Sequence, residues 1–320
     1  MTTSSIDLAD FDYSTDLGGR RIPNPILTAS GTAGSGKELS QFFPLEELGA
    51  IVTKSIMLKP RSGRATPRMA ETPSGMLNSI GLQGPGIDIF LENDVPWLAS
   101  QGARVIISIA GETIEDYAVL ARKLRAVPGI TALEVNISCP NVENRGQVFA
   151  CNPETARDAI AAVRRNIGGE LPIFAKLSPD VTDIAEIARE VVGAGADGLA
   201  LINTILGMVI DTNTMFPKLS QRTGGLSGPA VRPVAVRAIY QVHAALPDVP
   251  IIGMGGVSNG RDAFELVLAG ASAISVGTAT FGNPRAAIDI KQELAQILVD
   301  KGFATFNQAI GFAHREEIRS

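Results

Sequence analysis

Short runs of Val, Ile, Leu and Ala recur along the chain, separated by longer stretches whose apolar residues fall at helical spacing. The runs are PILTAS (25–30), AIVTKS (50–55), VIISIA (105–110), LEVNIS (133–138), PIFAKLS (172–178), GLALIN (198–203), PIIGMGG (250–256) and AISVGT (273–278). Their near-continuous apolar character predicts strands buried on both faces. The intervening stretches carry helix starts. Thr113 and Asp116 stand in capping-box spacing, and Asn152-Pro153 and Asn283-Pro284 each place Asn at a cap and Pro at the first helical position. SPDVTDIAEIAREVVGAGA and SNGRDAFELVLAGA end in the glycine-rich turns expected at helix C-termini. Eight strands alternating with helices predict an α/β fold, a (β/α)8 TIM barrel. A doubly wound open sheet is the runner-up, but no Gly-x-Gly-x-x-Gly follows the first strand.

No linker or repeat divides the sequence, so residues 1–320 are expected to form a single barrel domain. Residues 1–24, with DLGGRR, predict an N-terminal hairpin over the barrel bottom. The connections 56–81, 139–152 and 204–228 exceed ordinary barrel loops and are expected to extend the C-terminal face as lids or binding elements.

Composition narrows the partners. Hydrophobic residues at 45% and charged residues at 19% describe a globular chain. A net charge of −5 without long basic runs argues against nucleic acid or an anionic membrane surface. No apolar run approaches a membrane span, and MTTSSIDLAD lacks the basic and apolar regions of a signal peptide. Two cysteines make neither a disulfide scaffold nor an iron–sulfur cluster, and no metal site is expected. The expected location is the cytoplasm.

In a barrel of this kind the active site sits where the strands end at their C-terminal side. Those ends carry Lys54-Ser55, Asn136 and Ser138, Lys176, Asn203-Thr204, Gly255-Gly256 and Gly277-Thr278. Singly, each has a plain structural reading: a solvated lysine, a turn-forming Asn, a tight glycine turn. Together they converge on one face. The glycine turns after strands seven and eight suit a phosphate, because backbone N–H groups can approach it there. A phosphate-bearing cofactor follows. FMN would suit, with Lys176 and Lys54 stabilising negative charge on the reduced flavin. Phosphosugar enzymes share the glycine signal.

Oxidising a C–C bond also requires a base. His243 and His314 lie away from every strand end, and Cys139 stands just beyond strand four in a polar Ser-Cys-Pro-Asn loop. A thiol can act as a base where its surroundings favour thiolate. Cys151, in FACNPET, reads as packing beside a helix cap.

These residues form the motif set NISCPN, TKS, NSIGL, AKLSPD, INT, GGLSGP, GMGGV and SVGTA, in that composition over residues 16–312. The set strongly resembles the class 1 dihydroorotate dehydrogenases. The resemblance implies an FMN-containing barrel that oxidises (S)-dihydroorotate to orotate in pyrimidine synthesis. It implies that Cys139 takes the C5 proton while the C6 hydride goes to flavin N5. Lys54, Asn78, Asn136, Asn203 and Thr204, with the backbone of Ser79, Ile80, Gly81 and Leu82, match the substrate contacts. Ser30, Lys54, Ser55, Ser108, Asn136, Lys176, Ile202, Gly228, Gly255, Gly256, Gly277 and Thr278 match the FMN shell. Ser108 departs from the pattern, since relatives often place Asn in this region.

The membrane-linked class 2 enzymes use serine where this chain has Cys139 and carry an N-terminal quinone-binding extension. KPRSGRATPRMAETPSGMLNSIGLQGPG resembles the NAD-linked branch of class 1 more than the fumarate-using branch. That branch implies a homodimer joined to a second subunit carrying FAD and a 2Fe–2S cluster, a heterotetramer. The alternatives are the fumarate-linked class 1 enzymes and the dihydropyrimidine dehydrogenase type, whose uracil or thymine lacks the carboxylate that Lys54 beside Asn78 would favour. A non-catalytic barrel binding a phosphate ligand is the alternative from another class.

Overall fold

The computed structural model describes residue 8 and residues 11–138 and 152–315. One parallel sheet holds eight strands: β1 Ile26–Thr28, β2 Ile51–Val52, β3 Val105–Ile109, β4 Ile130–Asn136, β5 Ile173–Lys176, β6 Gly198–Leu201, β7 Ile251–Met254 and β8 Ala273–Val276. Strands adjacent in sequence are adjacent in space, and β8 pairs with β1. Between β1 and β2 the ring closes through a parallel bridge, Leu27 to Ala50, and through the Thr28 side chain. Thr28 Oγ1 accepts from Val52 N at 2.8 Å and donates to Val52 O at 3.2 Å. The eight sequence runs therefore close into a (β/α)8 barrel, and the open-sheet reading falls with the free edges it requires.

Helices pack outside the strands. Two 3-10 turns, Leu39–Gln41 and Leu45–Glu47, replace a helix after β1. Then follow α1 (residues 87–100, with a π turn at Phe90–Asp94), α2 Ile114–Leu124, α3 Pro153–Ile167, α4 Ile184–Gly193, α5 Arg232–Ala245, α6 Gly260–Ala269 and α7 Ala286–Asp300. The caps explain where several of these begin. At α2, Thr113 Oγ1 accepts from Asp116 N and the Asp116 carboxylate accepts from Thr113 N, both at 3.1 Å. Asn152 Oδ1 accepts from Glu154 N and Thr155 N at the head of α3. The Asn283 expectation needs correcting. One helical turn, Ala279–Gly282, precedes Asn283 and ends on it, so α7 opens two residues past Pro284. Asn283 Oδ1 instead accepts from Arg285 N at 3.0 Å, bridging the two helices.

Strand parity divides the core in two. Ile107, Leu133, Val135, Ile173, Ala175, Leu199 and Ile274 face the helices. Ile106, Ala132, Phe174, Ala200, Ile252 and Ala273 face the barrel axis as an apolar layer. Leu17 and Ile22 join that inner layer from the N-terminal hairpin, where Thr15–Asp16 pairs antiparallel with Arg21–Ile22. Both are at most 1% exposed, so the hairpin seals the barrel at the end opposite the site. The expected N-terminal hairpin is there.

The long connections do more than the sequence suggested. Met69–Thr72 and Gly75–Asn78, following β2, join Ile205–Met208 and Thr223–Ser227, following β6, in a four-stranded antiparallel sheet at the barrel mouth. The third long connection falls outside the described residues except for Asn152.

The two histidines of the chain meet on the barrel exterior. The His314 ring stacks on Tyr240 at 3.8 Å and lies 4.8 Å from the His243 ring. Burial, and secondarily the neighbouring His314, pull the His243 pKa below its ordinary value, against a weaker opposing effect of Asp248. With a depressed folded pKa, the unfolded chain binds the proton first as pH falls below about 6.5. Stability should therefore be flat above that pH and decline beneath it until the folded form also titrates. Melting temperatures from pH 8 to pH 5 should show this acid-side decline, and His243→Gln should reduce its slope. An equal slope in the variant would remove His243 as its source.

Candidate active site

The site grows from the axis-facing parity of the strands. On β4 this parity selects Glu134 and then Asn136, two residues apart. Sheet register sets Ser108 of β3 opposite Glu134, and Lys176 of β5 opposite Asn136. The apolar inner layer thus gives way, toward the C-terminal strand ends, to a polar one. Each of these four side chains is at most 6% exposed, so their polar atoms must find partners inside.

They do. Asn136 Nδ2 donates to Ser55 Oγ at 3.1 Å, Ser55 and Ser108 Oγ lie 2.8 Å apart, and Ser108 Oγ donates to Glu134 Oε1 at 2.8 Å. Lys176 Nζ donates to Ser30 Oγ at 2.9 Å and to Glu134 Oε1 at 3.4 Å. On the other side, Asn136 Oδ1 accepts from Ser138 N at 3.3 Å and Ser138 Oγ at 3.0 Å. Asn203 Nδ2 donates to Ser138 Oγ at 2.7 Å, and Asn203 Oδ1 accepts from Thr204 N at 2.8 Å. The two amides, from β4 and from just beyond β6, are therefore held in fixed orientation.

Above this layer lies a cavity of about 380 Å³, of the size that takes a small molecule. Its walls include Ser30, Lys54, Ser55, Asn78, Ile80, Gly81, Leu82, Asn136, Lys176, Ile202, Asn203, Thr204, Gly228, Gly255, Gly256, Gly277 and Thr278. The structure thus brings together most residues singled out in the sequence, from all over the chain. Ser79 is buried at 1% exposure beside them, its N–H donating to Arg68 O at 2.7 Å. Ser108, fully buried, stands one side chain behind the wall, in contact with Ser55. Cys139, the expected base, and Cys151 lie outside the described residues.

Backbone shape at the glycine turns accounts for one requirement. Gly256 has φ +75°, and a Cβ there would stand 2.7 Å from Arg232 Cβ and 2.9 Å from Arg232 N. Both the positive φ and this close approach to the start of α5 require glycine. Nearby, Thr278 Oγ1 and Ser227 Oγ pair at 2.8 Å, adding hydroxyls to the same wall.

Sequence reasoning missed several lining residues. Met69, Met76 and Ser227 reach the cavity only through the mouth sheet, whose pairing of distant loops leaves no local signal. Thr32 and Phe281 also line it. Glu134 was legible: it shares the parity of Asn136 on an otherwise apolar strand.

A polar-walled small-molecule site at the C-terminal face of a (β/α)8 barrel is the class that fold and cavity define. The family model described as dihydroorotate dehydrogenase matches residues 13–298, and the chain belongs to that family. It is 53% identical over 291 residues to the dihydroorotate dehydrogenase B (NAD(+)) catalytic subunit of Desulforamulus reducens, covering 91% of this chain and 95% of the relative. The proteins of the same description from Desulforudis audaxviator and Bacillus cytotoxicus are 50% and 46% identical. The matches cover 93% and 95% of this chain and 96% and 98% of those relatives.

Proposed function

We propose that residues 1–320 form a single FMN-binding domain, the catalytic subunit of an enzyme that oxidises (S)-dihydroorotate to orotate in de novo pyrimidine synthesis. The observation that carries this reading is the single cavity shared by two lysines, three asparagines and the glycine turns after β7 and β8. It agrees with the family and with the description of its relatives. The donor set fits FMN. The glycine turns, with Thr278 and Ser227, suit a phosphate, while Lys176 and Lys54 suit the electron-rich edge of a reduced flavin. Ser30, Ser55, Ile202 and Gly228 complete that shell, with Ser108 supporting Ser55 from behind. Bound FMN supplies the hydride acceptor.

The chain's own residues do the rest. Lys54 pairs with the substrate carboxylate. Asn78, Asn136, Asn203 and Thr204, with the backbone of residues 79–82, read the ring amides. Cys139 removes the C5 proton as the C6 hydride departs, and the C5–C6 bond becomes double. The two ordered amides, Asn136 and Asn203, meet the ring's polar edge in a fixed orientation. Among the described residues no helix is long and apolar enough to cross a membrane. A cytoplasmic enzyme, built as a homodimer carrying a second type of subunit with FAD and a 2Fe–2S cluster, completes the proposal.

The purified protein should be yellow and release one FMN per chain on denaturation. Orotate should perturb the flavin spectrum. A colourless protein indifferent to FMN and orotate would overturn the reading. Asn136→Ala and Asn203→Ala should each weaken orotate binding by about 1–3 kcal/mol, because each leaves buried polar groups unpaired. The same spectral titration measures this, and unchanged affinity in both variants would move the substrate pocket elsewhere.

A further inference from the structure

We infer that Glu134 is a positioning residue, one buried carboxylate that sets both the charge balance of the cofactor-side Lys176 and the amide orientation of the substrate-side Asn136. The inference rests on the proposed FMN and orotate site. Its basis is the direction of the hydrogen bonds. Glu134 Oε1 accepts from Lys176 Nζ and from Ser108 Oγ. A hydroxyl has one proton, so Ser108, having given its own to the carboxylate, must accept from Ser55. Ser55, having given its proton to Ser108, must accept from Asn136 Nδ2. The amide oxygen of Asn136 is thereby turned toward Ser138 N, Ser138 Oγ and Asn203 Nδ2, all of them donors. Every step runs one way, and it ends on Glu134.

A residue kept only for stability fits this position poorly. Glu134 is 0% exposed, and its Oε2 has no hydrogen-bond partner among the described residues. Burying a carboxylate between an apolar layer and the cavity wall is expensive, and an ion pair as long as 3.4 Å offsets only part of it. What the carboxylate does accomplish is specific. It neutralises Lys176, which is itself 5% exposed and lines the cavity, and it anchors the far end of the chain that aims Asn136. The Lys176 ammonium has three N–H donors. Ser30 and Glu134 take two of them, which leaves the third for the cavity.

Glu134→Gln keeps the shape and an acceptor for Ser108 and Lys176 while removing the charge. With the positive charge of Lys176 no longer balanced, the bound flavin should become easier to reduce. At a fixed dye potential at pH 7, the ratio of reduced to oxidised flavin should rise about tenfold, a shift of about 30 mV for a two-electron couple. Orotate affinity should hold in the same protein, because the Gln amide oxygen still accepts from Ser108, and the melting temperature should hold or rise. Ser108→Ala serves as the second variant. It cuts the chain to Asn136 but leaves the Lys176 pair, so it should weaken orotate binding while moving the flavin potential far less than Glu134→Gln does. A flavin potential in Glu134→Gln equal to that of the wild type would overturn the inference, and so would unchanged orotate affinity in Ser108→Ala or identical potential shifts in the two variants. If the wild-type protein bound neither FMN nor orotate, the functional reading itself would fail, before any comparison of variants.

Discussion

Cys139→Ser should keep FMN and orotate binding yet slow reduction of the bound flavin by dihydroorotate, about 10²–10⁴-fold at neutral pH. The reason is the proton. Removing hydride from C6 without taking the proton from C5 leaves the ring short of its double bond, so the rate follows the strength and availability of the base. A free thiol has a pKa of about 8.5 and yields thiolate readily in a favourable setting. A serine hydroxyl ionises far higher, so the variant should regain rate only as pH rises. Rapid mixing of oxidised enzyme with dihydroorotate, followed by flavin absorbance across pH, measures both effects. A Cys139→Ser protein reduced at the wild-type rate at pH 7 would show that the base is another group.

The second large effect concerns the oxidant. On the proposed function, electrons bound for NAD leave this chain through a second subunit. A 2Fe–2S cluster takes four protein ligands as a rule, whereas the chain has two cysteines, one of them assigned to proton transfer. No Gly-x-Gly-x-x-Gly unit follows a strand to hold a dinucleotide. The isolated chain should therefore reduce NAD slowly or not at all, and the complex coexpressed with a flavin and iron–sulfur subunit should do so efficiently. Turnover assays of the two preparations, with dihydroorotate and either NAD or fumarate, separate the cases. Rapid fumarate reduction by the isolated chain would place it in the fumarate-linked branch instead.

Local signals carried most of the architecture. All eight strands begin within a few residues of where the apolar runs place them, because strands buried on both faces leave a continuous apolar signature. Thr113, Asn152 and the glycine turns marked helix ends because caps are chemistry confined to one turn. Asn283 misled for the same reason: the local Asn-Pro pattern is real, but a short preceding helix claims the Asn. The mouth sheet was hidden because residues 75–78 pair with 223–227, and nothing in either segment encodes the partner. At the site, the residues at strand ends and Ser108 behind them are legible in the sequence, whereas the lining contributed by the mouth sheet is not. In LEVNIS, Glu134, Asn136 and Ser138 alternate with apolar residues, and Glu134 and Asn136 of that alternation face the barrel interior. A parallel strand shows two buried faces, and the polar residues on one of them belong to the axis.

The central claim is that this cavity oxidises dihydroorotate through bound FMN, and anaerobic titration of the purified holoprotein with (S)-dihydroorotate tests it most directly. The account predicts loss of the flavin absorbance near stoichiometric substrate, with one orotate formed per FMN reduced and colour restored by an acceptor. Flavin that stays oxidised under excess dihydroorotate, in protein shown to contain FMN and to bind orotate, would contradict it.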